Sequence, residues 1–187
     1  MSTAAEYWRR GNEAISRENW DYAIEMYSMA VRMAPDNFLF RQSLRFTEYK
    51  KHGNGRRGPD RTSPELALIR TRVERHRSRG EWKMMDDACE EGLAISPWDA
   101  QLHADLRDAT NELGYRDVAK FAYQESLKSD PANRAVNRSL ALLLELGKEY
   151  AEAITCWQRI LKNDPGNREA FGKIRSLKAL DDPFSFP

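Results

Sequence analysis

The sequence has few of the residues from which catalytic and metal sites are built. It contains 2 Cys and 3 His among its 187 residues. His52, His76 and His103 are scattered without an HExxH motif, and Cys89 and Cys156 do not stand at metal-ligand spacing. No Ser, His and acid arrangement suggests nucleophilic catalysis. These absences predict a protein that is not an enzyme and that holds no metal or cofactor.

Long apolar runs and a strong net charge are also missing. No stretch of 18 apolar residues occurs, which predicts no membrane span. The N-terminal residues lack the charged-then-apolar layout of a secretory signal. The two cysteines are expected to be reduced core residues, so the default prediction is a cytoplasmic setting. The net charge of +1 by itself indicates no partner.

What the chain does contain is a 34-residue period. Pro97, Pro131 and Pro165 recur at this interval. Twelve residues before each of these prolines lies a small or slim apolar residue. Four residues after this apolar residue lies a Cys or an aromatic. The residues at these two positions are Met85 and Cys89, Ala119 and Tyr123, and Ala153 and Trp157, with an upstream copy at Ala23, Tyr27 and Pro35. Such a period is typical of a two-helix repeat.

On these residues the chain resembles the tetratricopeptide repeat (TPR) family from residue 4 to about residue 180. The resemblance implies an all-α, right-handed helical solenoid. It would have about four helix-turn-helix repeats, an interrupted second repeat and a C-terminal capping helix. In that family the small residue allows two helices to approach closely, the aromatic fills the gap between hairpins, and the Pro ends the second helix.

The predicted organisation has four parts. Residues 1–51 form a hairpin plus one extra helix, 52–63 form a basic Gly/Pro hinge loop, 64–180 form three TPR-like repeats and a capping helix, and 181–187 form a tail. In the first hairpin, Asp21 is expected to cap the second helix. Gly147 stands six residues before Ala153 whereas Gly114 stands five before Ala119, which predicts one extra residue in the later turn.

The extra helix, 38–51, has no partner helix directly after it. Its apolar positions are Phe38, Leu39, Leu44, Phe46 and Tyr49. Two alternatives remain open: it folds onto the first hairpin as a cap, or it packs against another molecule. A hinge at 52–63 would let residues 1–51 move as a unit, and self-association through that unit is expected. The Gly-rich stretch 53–58 lacks the phosphate-loop pattern and is interpreted as a linker.

Charge is concentrated in residues 41–83, which hold 13 Lys or Arg against five acids, a net charge of +8. This segment could be a solvated face, a dock for an acidic protein, or a phosphate-binding surface. Without a recognition motif, nucleic acid ranks below a protein partner. The candidate basic patch comprises Lys50, Lys51, Arg56, Arg57, Arg61, Arg72, Arg75 and Arg79.

The TPR resemblance implies a peptide-binding groove lined by first helices. The matching positions are Trp8, Asn12, Gln42, Arg70, Arg77, Gln101, Asp108, Asn111 and Arg138. One subset of the family grips acidic C-termini with a Lys/Asn clamp. Gly11-Asn12 and Gln42 are similar to part of that clamp, but Trp8 replaces its first Lys. The expected function is a non-catalytic scaffold or adaptor that binds a protein or peptide; the alternative is a nucleic-acid-associated adaptor using 41–83.

Overall fold

The structure, a computed structural model, describes residues 2–53 and 63–181, and every regular element in these two ranges is an α-helix. The helices are α1 (Ala4–Ile15), α2 (Trp20–Met33), α3 (Phe38–Lys51), α4 (Pro64–Ser78), α5 (Trp82–Ile95), α6 (Ala100–Glu112), α7 (Arg116–Ser129), α8 (Arg134–Leu146), α9 (Tyr150–Asn163) and α10 (Arg168–Asp181). The all-α prediction is confirmed. Within the same ranges, no helix has the length and apolar character needed to span a bilayer.

The chain divides into two compact units, 1–119 and 120–187, with the boundary inside α7. Residues 54–62, most of the predicted hinge, and the tail residues 182–187 lie outside the described part. The division at 52–63 and the motion of 1–51 therefore stay predictions.

Short polar side chains begin four first helices of the hairpins. Asn37, Asp99, Asn133 and Asn167 each accept a hydrogen bond from the backbone N–H three residues later, over 2.9–3.2 Å. This contact satisfies a donor that would otherwise have no partner at the start of the helix. Because the last three caps recur with the same period as the prolines, they place the first helices in one register.

Two other helix starts can be compared with their predictions. Ser63 caps α4, with Pro64 at the first helical position, as the sequence indicates. The prediction that Asp21 caps α2 is wrong, because the cap is Asn19, which accepts from the Tyr22 N–H at 3.3 Å. Asp21 lies in the first turn of α2 and pairs with Lys51 at 2.7 Å.

The turns within the later hairpins share one left-handed residue. Gly80, Gly114 and Lys148, which recur with the same period, have φ of 67°, 72° and 60°. The prediction of a longer last turn is therefore wrong, since three residues separate α6 from α7 and three also separate α8 from α9. Lys148, not Gly147, is the equivalent of Gly114. A lysine occupies the left-handed position of this turn and a glycine stands just before it. Glycine is the residue usually found in that conformation, so the glycine positions alone suggested a shifted turn.

The repeat positions predicted to be buried are buried. Ala23, Tyr27, Ala119, Tyr123, Ala153 and Trp157 are each at most 4% exposed. In α1, Gly11 permits the close approach expected of it, because a Cβ there would lie 2.5 Å from a ring carbon of Tyr27. Met85 and Cys89 lie in the core shared by α4, α5 and α6. Both cysteines are free and buried.

The helix α3 folds onto the first hairpin, as the first of the two alternatives drawn from the sequence has it, and it also contacts a later helix. Phe40 and Leu44 pack into the core of the first hairpin, against α2. Another side of α3 contacts α5, which belongs to the hairpin after the loop, through the ion pairs described below. Phe46, one of the apolar positions of this helix, is 51% exposed. The charged residues Arg41, Arg45 and Glu48 are buried instead, on the side of α3 that faces α5.

In the second unit, α8 packs against α9, and α9 packs against α10. Trp157 is fully buried, and its indole N–H donates to Glu145 at 2.8 Å. Ala170 and Leu177 of α10 are buried, and Lys173 forms an ion pair with Glu145 at 2.6 Å. The last described helix is therefore held like the first helix of a further repeat.

Candidate peptide-binding face

The predicted groove residues at the N-terminal end lie on α1 and α3. The Trp8 indole N–H donates to Ser43 Oγ at 2.9 Å, and its ring centroid is 6.1 Å from that of Phe40. Asn12 is exposed and accepts a hydrogen bond of 2.6 Å from the Tyr27 hydroxyl, whose pKa burial raises to about 12. These bonds fix α1 against its neighbours, and Trp8 is half-buried.

Next to Trp8, α3 presents a stripe of exposed side chains. We define the α3 stripe as Leu39, Gln42, Phe46 and Lys50, which recur at helical spacing. Leu39 is 45% exposed and Phe46 is 51% exposed. The Lys50 ammonium stands 5.4 Å from the centroid of the Phe46 ring, a cation–π contact that helps to hold the ring in place.

The arginines predicted for the groove are engaged in ion pairs. Arg70 pairs with Asp99, the capping residue of α6. Arg77 pairs with Asp105 and, at 3.0 Å, with Asp108. Asp108 also accepts from Arg107 at 2.9 Å, and Gln101 donates to Asp105 at 2.9 Å. Asn111 is exposed at the end of α6. This part of the first-helix surface is a network of compensated charge.

Most described members of the basic segment likewise have carboxylate partners. Lys51 pairs with Asp21, Arg72 with Glu91 and, at 3.9 Å, Arg79 with Glu81. Lys50 and Arg75 are exposed. Arg56, Arg57 and Arg61 lie outside the described residues. The acids that compensate Arg70, Arg72 and Arg77 come from residues 91–108, outside the basic segment. The net charge of +8 in residues 41–83 is therefore partly neutralised at the surface by acids from later in the chain.

Two arginines of that segment are not at the surface at all. Arg41, 2% exposed, holds Asp86 by two hydrogen bonds of 2.8 and 2.9 Å and Glu90 at 2.7 Å. Arg45, 3% exposed, pairs with Glu90 at 2.7 Å and with Glu48. These side chains join α3 to α5. The sequence shows only a cluster of charges, and the pairing depends on the packing of the two helices.

The buried pairing shifts the carboxylates in opposite directions. Desolvation raises the pKa of Glu48 to about 8, although Arg45 acts against the rise. One oxygen of Glu48 has no hydrogen-bond partner, as expected for a carboxyl that favours its neutral form. Burial also opposes ionisation of Glu90, but Arg45 and Arg41 outweigh it and lower its pKa. An aromatic contact adds to these ion pairs: the Tyr49 ring of α3 stacks on Trp98, which follows α5, with ring centroids 5.4 Å apart.

The second unit holds one predicted groove residue and a cavity that the sequence did not indicate. Arg138 of α8 binds Glu169 of α10 at 2.7–2.9 Å, and this pairing raises the pKa of the guanidinium. The cavity, of about 410 Å³, is lined by Gln124, Leu127, Lys128, Pro131, Leu140, Leu144, Glu152, Thr155, Cys156 and Arg159. Its lining comes from the three successive helices α7, α8 and α9 and from Pro131 between the first two.

The described helices, with first-helix caps in one register and small residues at the close contacts, define a helical-repeat protein. The fold is similar to that of solved TPR proteins. The first TPR domain of Spaghetti (RPAP3), solved with an HSP90 peptide, gives a TM-score of 0.54 at 17% identity over 64% of this chain and 96% of that one. The P58(IPK) TPR domain gives 0.60 at 12% identity, over 95% and 65% of the two chains.

A TPR protein from Parabacteroides merdae gives a TM-score of 0.56 at 16% identity, over 95% of this chain and 60% of that one. The chain thus spans less than two thirds of the length of this structure and of the P58(IPK) domain. No protein-family model and no curated protein matches the sequence. The chain therefore has the TPR fold, and the resemblance predicted from its sequence is confirmed at the level of the fold.

Proposed function

We propose that the chain is a non-catalytic scaffold that binds a peptide segment of another protein on the first-helix surface of unit 1–119. The α3 stripe carries this proposal. Two large apolar side chains, Leu39 and Phe46, are about half exposed on one side of a helix, with Gln42 between them. Apolar anchors beside polar groups that fix orientation are what a peptide site requires.

The chemistry of the stripe points to the kind of peptide. Leu39 and Phe46 offer apolar surface, Gln42 can hydrogen-bond to a peptide backbone, and Lys50 can meet one acidic side chain. Arg70 and Arg77 already hold carboxylates, so they offer less to an acidic C-terminus than free cations would. A segment with two apolar side chains and one acid fits this arrangement better than a highly acidic one. The Spaghetti domain, which shares the fold, was solved with a bound HSP90 peptide, and this supports peptide binding as a use of the surface.

A nucleic-acid adaptor that uses 41–83 has less support. Arg41 and Arg45 are buried, and Arg70, Arg72 and Arg77 are compensated by acids. Phosphate binding depends on cations that are free to neutralise it. A protein partner should therefore remain bound after nuclease treatment. A reducing compartment such as the cytoplasm suits the two buried free thiols.

The test is selection of binding peptides from a display library on the intact chain, followed by affinity measurement on variants. Phe46→Ser should weaken the selected peptides about tenfold or more, which corresponds to about 1.4 kcal/mol. Tyr22→Ser is the matched control, because Tyr22 is a 42% exposed aromatic of the same unit but lies on a second helix, α2. Peptides that bind the Phe46 variant as tightly as the wild type would refute the assignment of the site.

A further inference from the structure

The cavity of unit 120–187 contains a group of apolar side chains. Leu140 and Leu144 of α8 and Leu127 of α7 line it, and each of these leucines is at most 7% exposed. Its volume of about 410 Å³ lies within the range of roughly 300–1,000 Å³ that is usual for small-molecule sites. The cavity is therefore large enough for a compact ligand, and its three leucines favour a ligand with an apolar body.

The side of the cavity formed by α9 is polar and follows one face of that helix. Glu152, Thr155 and Arg159 line the cavity and are exposed. Because they are spaced three and four residues apart, they form one row about 10 Å long on a helix that rises 1.5 Å per residue. The cavity thus combines buried leucines with a few polar groups that can orient a ligand, as small-molecule sites do.

The charged residues of the cavity differ in whether a partner compensates them. Glu152 pairs with Lys120 at 2.9 Å, and Lys128 pairs with Glu125. Arg159 has no carboxylate partner among residues 2–53 and 63–181. The charged group that remains available to a ligand is therefore the guanidinium of Arg159.

The effect of Arg159 on a neighbouring thiol places its charge at the cavity. Burial raises the pKa of the Cys156 thiol, and the positive charge of Arg159 opposes this rise. Since both residues line the cavity, the guanidinium is close enough to act on a group bound inside it. Gln124 of α7 is also exposed at the cavity, and its amide can donate a hydrogen bond to the same ligand.

We propose that this cavity binds a compact amphipathic carboxylate, with its apolar body against Leu127, Leu140 and Leu144 and its carboxylate on Arg159. Arginine suits this role because its planar guanidinium can donate two parallel hydrogen bonds to one carboxylate. A cationic ligand would be repelled by Arg159 and Lys128, and a neutral one would gain no charge pairing from the guanidinium. The ligand class is therefore a small organic acid with a hydrocarbon or aromatic body.

Titration of the intact chain with octanoate, followed by NMR, tests the proposal. Octanoate should bind saturably and shift the methyl resonances of the three cavity leucines. Octanol, which has the same carbon chain without the carboxylate, should bind about tenfold more weakly, because a hydrogen bond to a charged group is lost. The absence of a saturable shift at these leucines, or equal binding of the two probes, would overturn the proposal.

Two arginine variants identify the group that holds the carboxylate. Arg159→Gln should weaken octanoate binding by about tenfold and leave octanol binding unchanged, since it removes the charge and keeps the leucines. Arg175→Gln is the matched control and should change neither affinity, because Arg175 is an exposed arginine of α10 that does not line the cavity. An Arg159 variant that binds octanoate as tightly as the wild type, or equal losses in both variants, would refute the assignment.

The two cysteines allow a second measurement on the unsubstituted chain. Cys156 lines the cavity, whereas Cys89 lies in the core shared by α4, α5 and α6. At an octanoate concentration of about twice its Kd, alkylation of Cys156 by iodoacetamide should slow about threefold, and that of Cys89 should not change. Equal slowing of both thiols, or of neither, would contradict the proposal. The cavity and the α3 stripe share no residue, so this outcome does not depend on peptide binding at the stripe.

Discussion

Two first helices, α3 and α10, are not followed directly by a second helix in the described part of the chain. The equivalent faces of these two helices differ, because that of α3 is buried and that of α10 is exposed. In α3 the positions that would receive a second helix hold Arg41, Arg45 and Glu48, all at most 3% exposed. In α10 they hold an exposed aromatic and two exposed cations. The same register position is therefore Arg41 in one unit and Phe171 in the other.

The contrast shows that burial does not follow hydropathy at these positions. Arg41 and Arg45 are buried because α5, from the hairpin beyond the loop, supplies Asp86 and Glu90. A buried charge is tolerated only when it is paired and hydrogen-bonded. Phe171 is exposed although it is apolar, because the other described elements of its unit do not reach it. The helix that covers this face of α3 is thus α5, which belongs to a different hairpin.

The largest effect is expected when one partner of the buried pairing is removed. Arg41→Ala should reduce the free energy of unfolding by about 3–5 kcal/mol, because Asp86 and Glu90 would be left buried without their cation. Phe171→Ala, at the equivalent position of α10, should change it by about 1 kcal/mol or less. Chemical denaturation followed by circular dichroism measures both. Equal losses would show that the two faces do not differ as described.

Close packing can be compared through two glycines of first helices. Gly11→Ala would bring a Cβ to within 2.5 Å of the Tyr27 ring and should cost about 1–3 kcal/mol. Gly172→Ala in α10 meets nothing within 4 Å and should stabilise the helix by about 0.5–1 kcal/mol. Thermal melts of the two variants should therefore shift in opposite directions. A shift in the same direction would argue against the close contact of α1 and α2.

The pH dependence of stability tests the charged face of α3. The pKa of Glu48 is about 8 in the folded state, compared with its ordinary value of 4.5 in the unfolded state. The protonated carboxyl therefore contributes to the free energy of unfolding. This contribution is fully present below pH 4.5 and is lost as the pH rises to about 8. In that window Glu48→Gln should gain stability over the wild type by up to about 1.4 kcal/mol per pH unit.

Urea denaturation at pH 6 and pH 7 gives this difference directly. Lys178→Gln is the control, since Lys178 occupies the equivalent position in α10 and is exposed. It should show no such slope. A Glu48 variant whose stability relative to the wild type does not change with pH would mean that the carboxyl stays ionised in the folded protein.

The smallest effect concerns the register on which the comparison depends. Lys148 has a φ of 60° at the position where Gly114 has 72°. A left-handed conformation costs a non-glycine residue roughly 1–2 kcal/mol, so Lys148→Gly should stabilise the chain by about 0.5–1 kcal/mol after the entropy cost of glycine. Gly114→Ala should destabilise it. If Lys148→Gly destabilises the chain, the two turns are not equivalent.

Repetition is what the sequence determined by itself. The 34-residue spacing, the small residue before each aromatic and the prolines predicted the helical hairpins, the TPR fold and the buried positions of Tyr27 and Trp157. Those features are local or periodic, because each hairpin repeats the same contacts between neighbouring helices. The free, buried state of the cysteines was predicted for the same reason.

Tertiary structure decided which charges and apolar residues are exposed. Nothing in the order of residues 41–108 indicates that Arg41 meets Asp86, or that Arg77 meets Asp105 and Asp108. These partners are far apart along the chain, and their pairing depends on how α3 packs against α5 and α4 lies near α6. The same packing left Phe46 and Leu39 at the surface. Periodicity predicts that a helix has a buried side, but the identity of that side depends on the neighbour that covers it, and in α3 that neighbour supplies carboxylates.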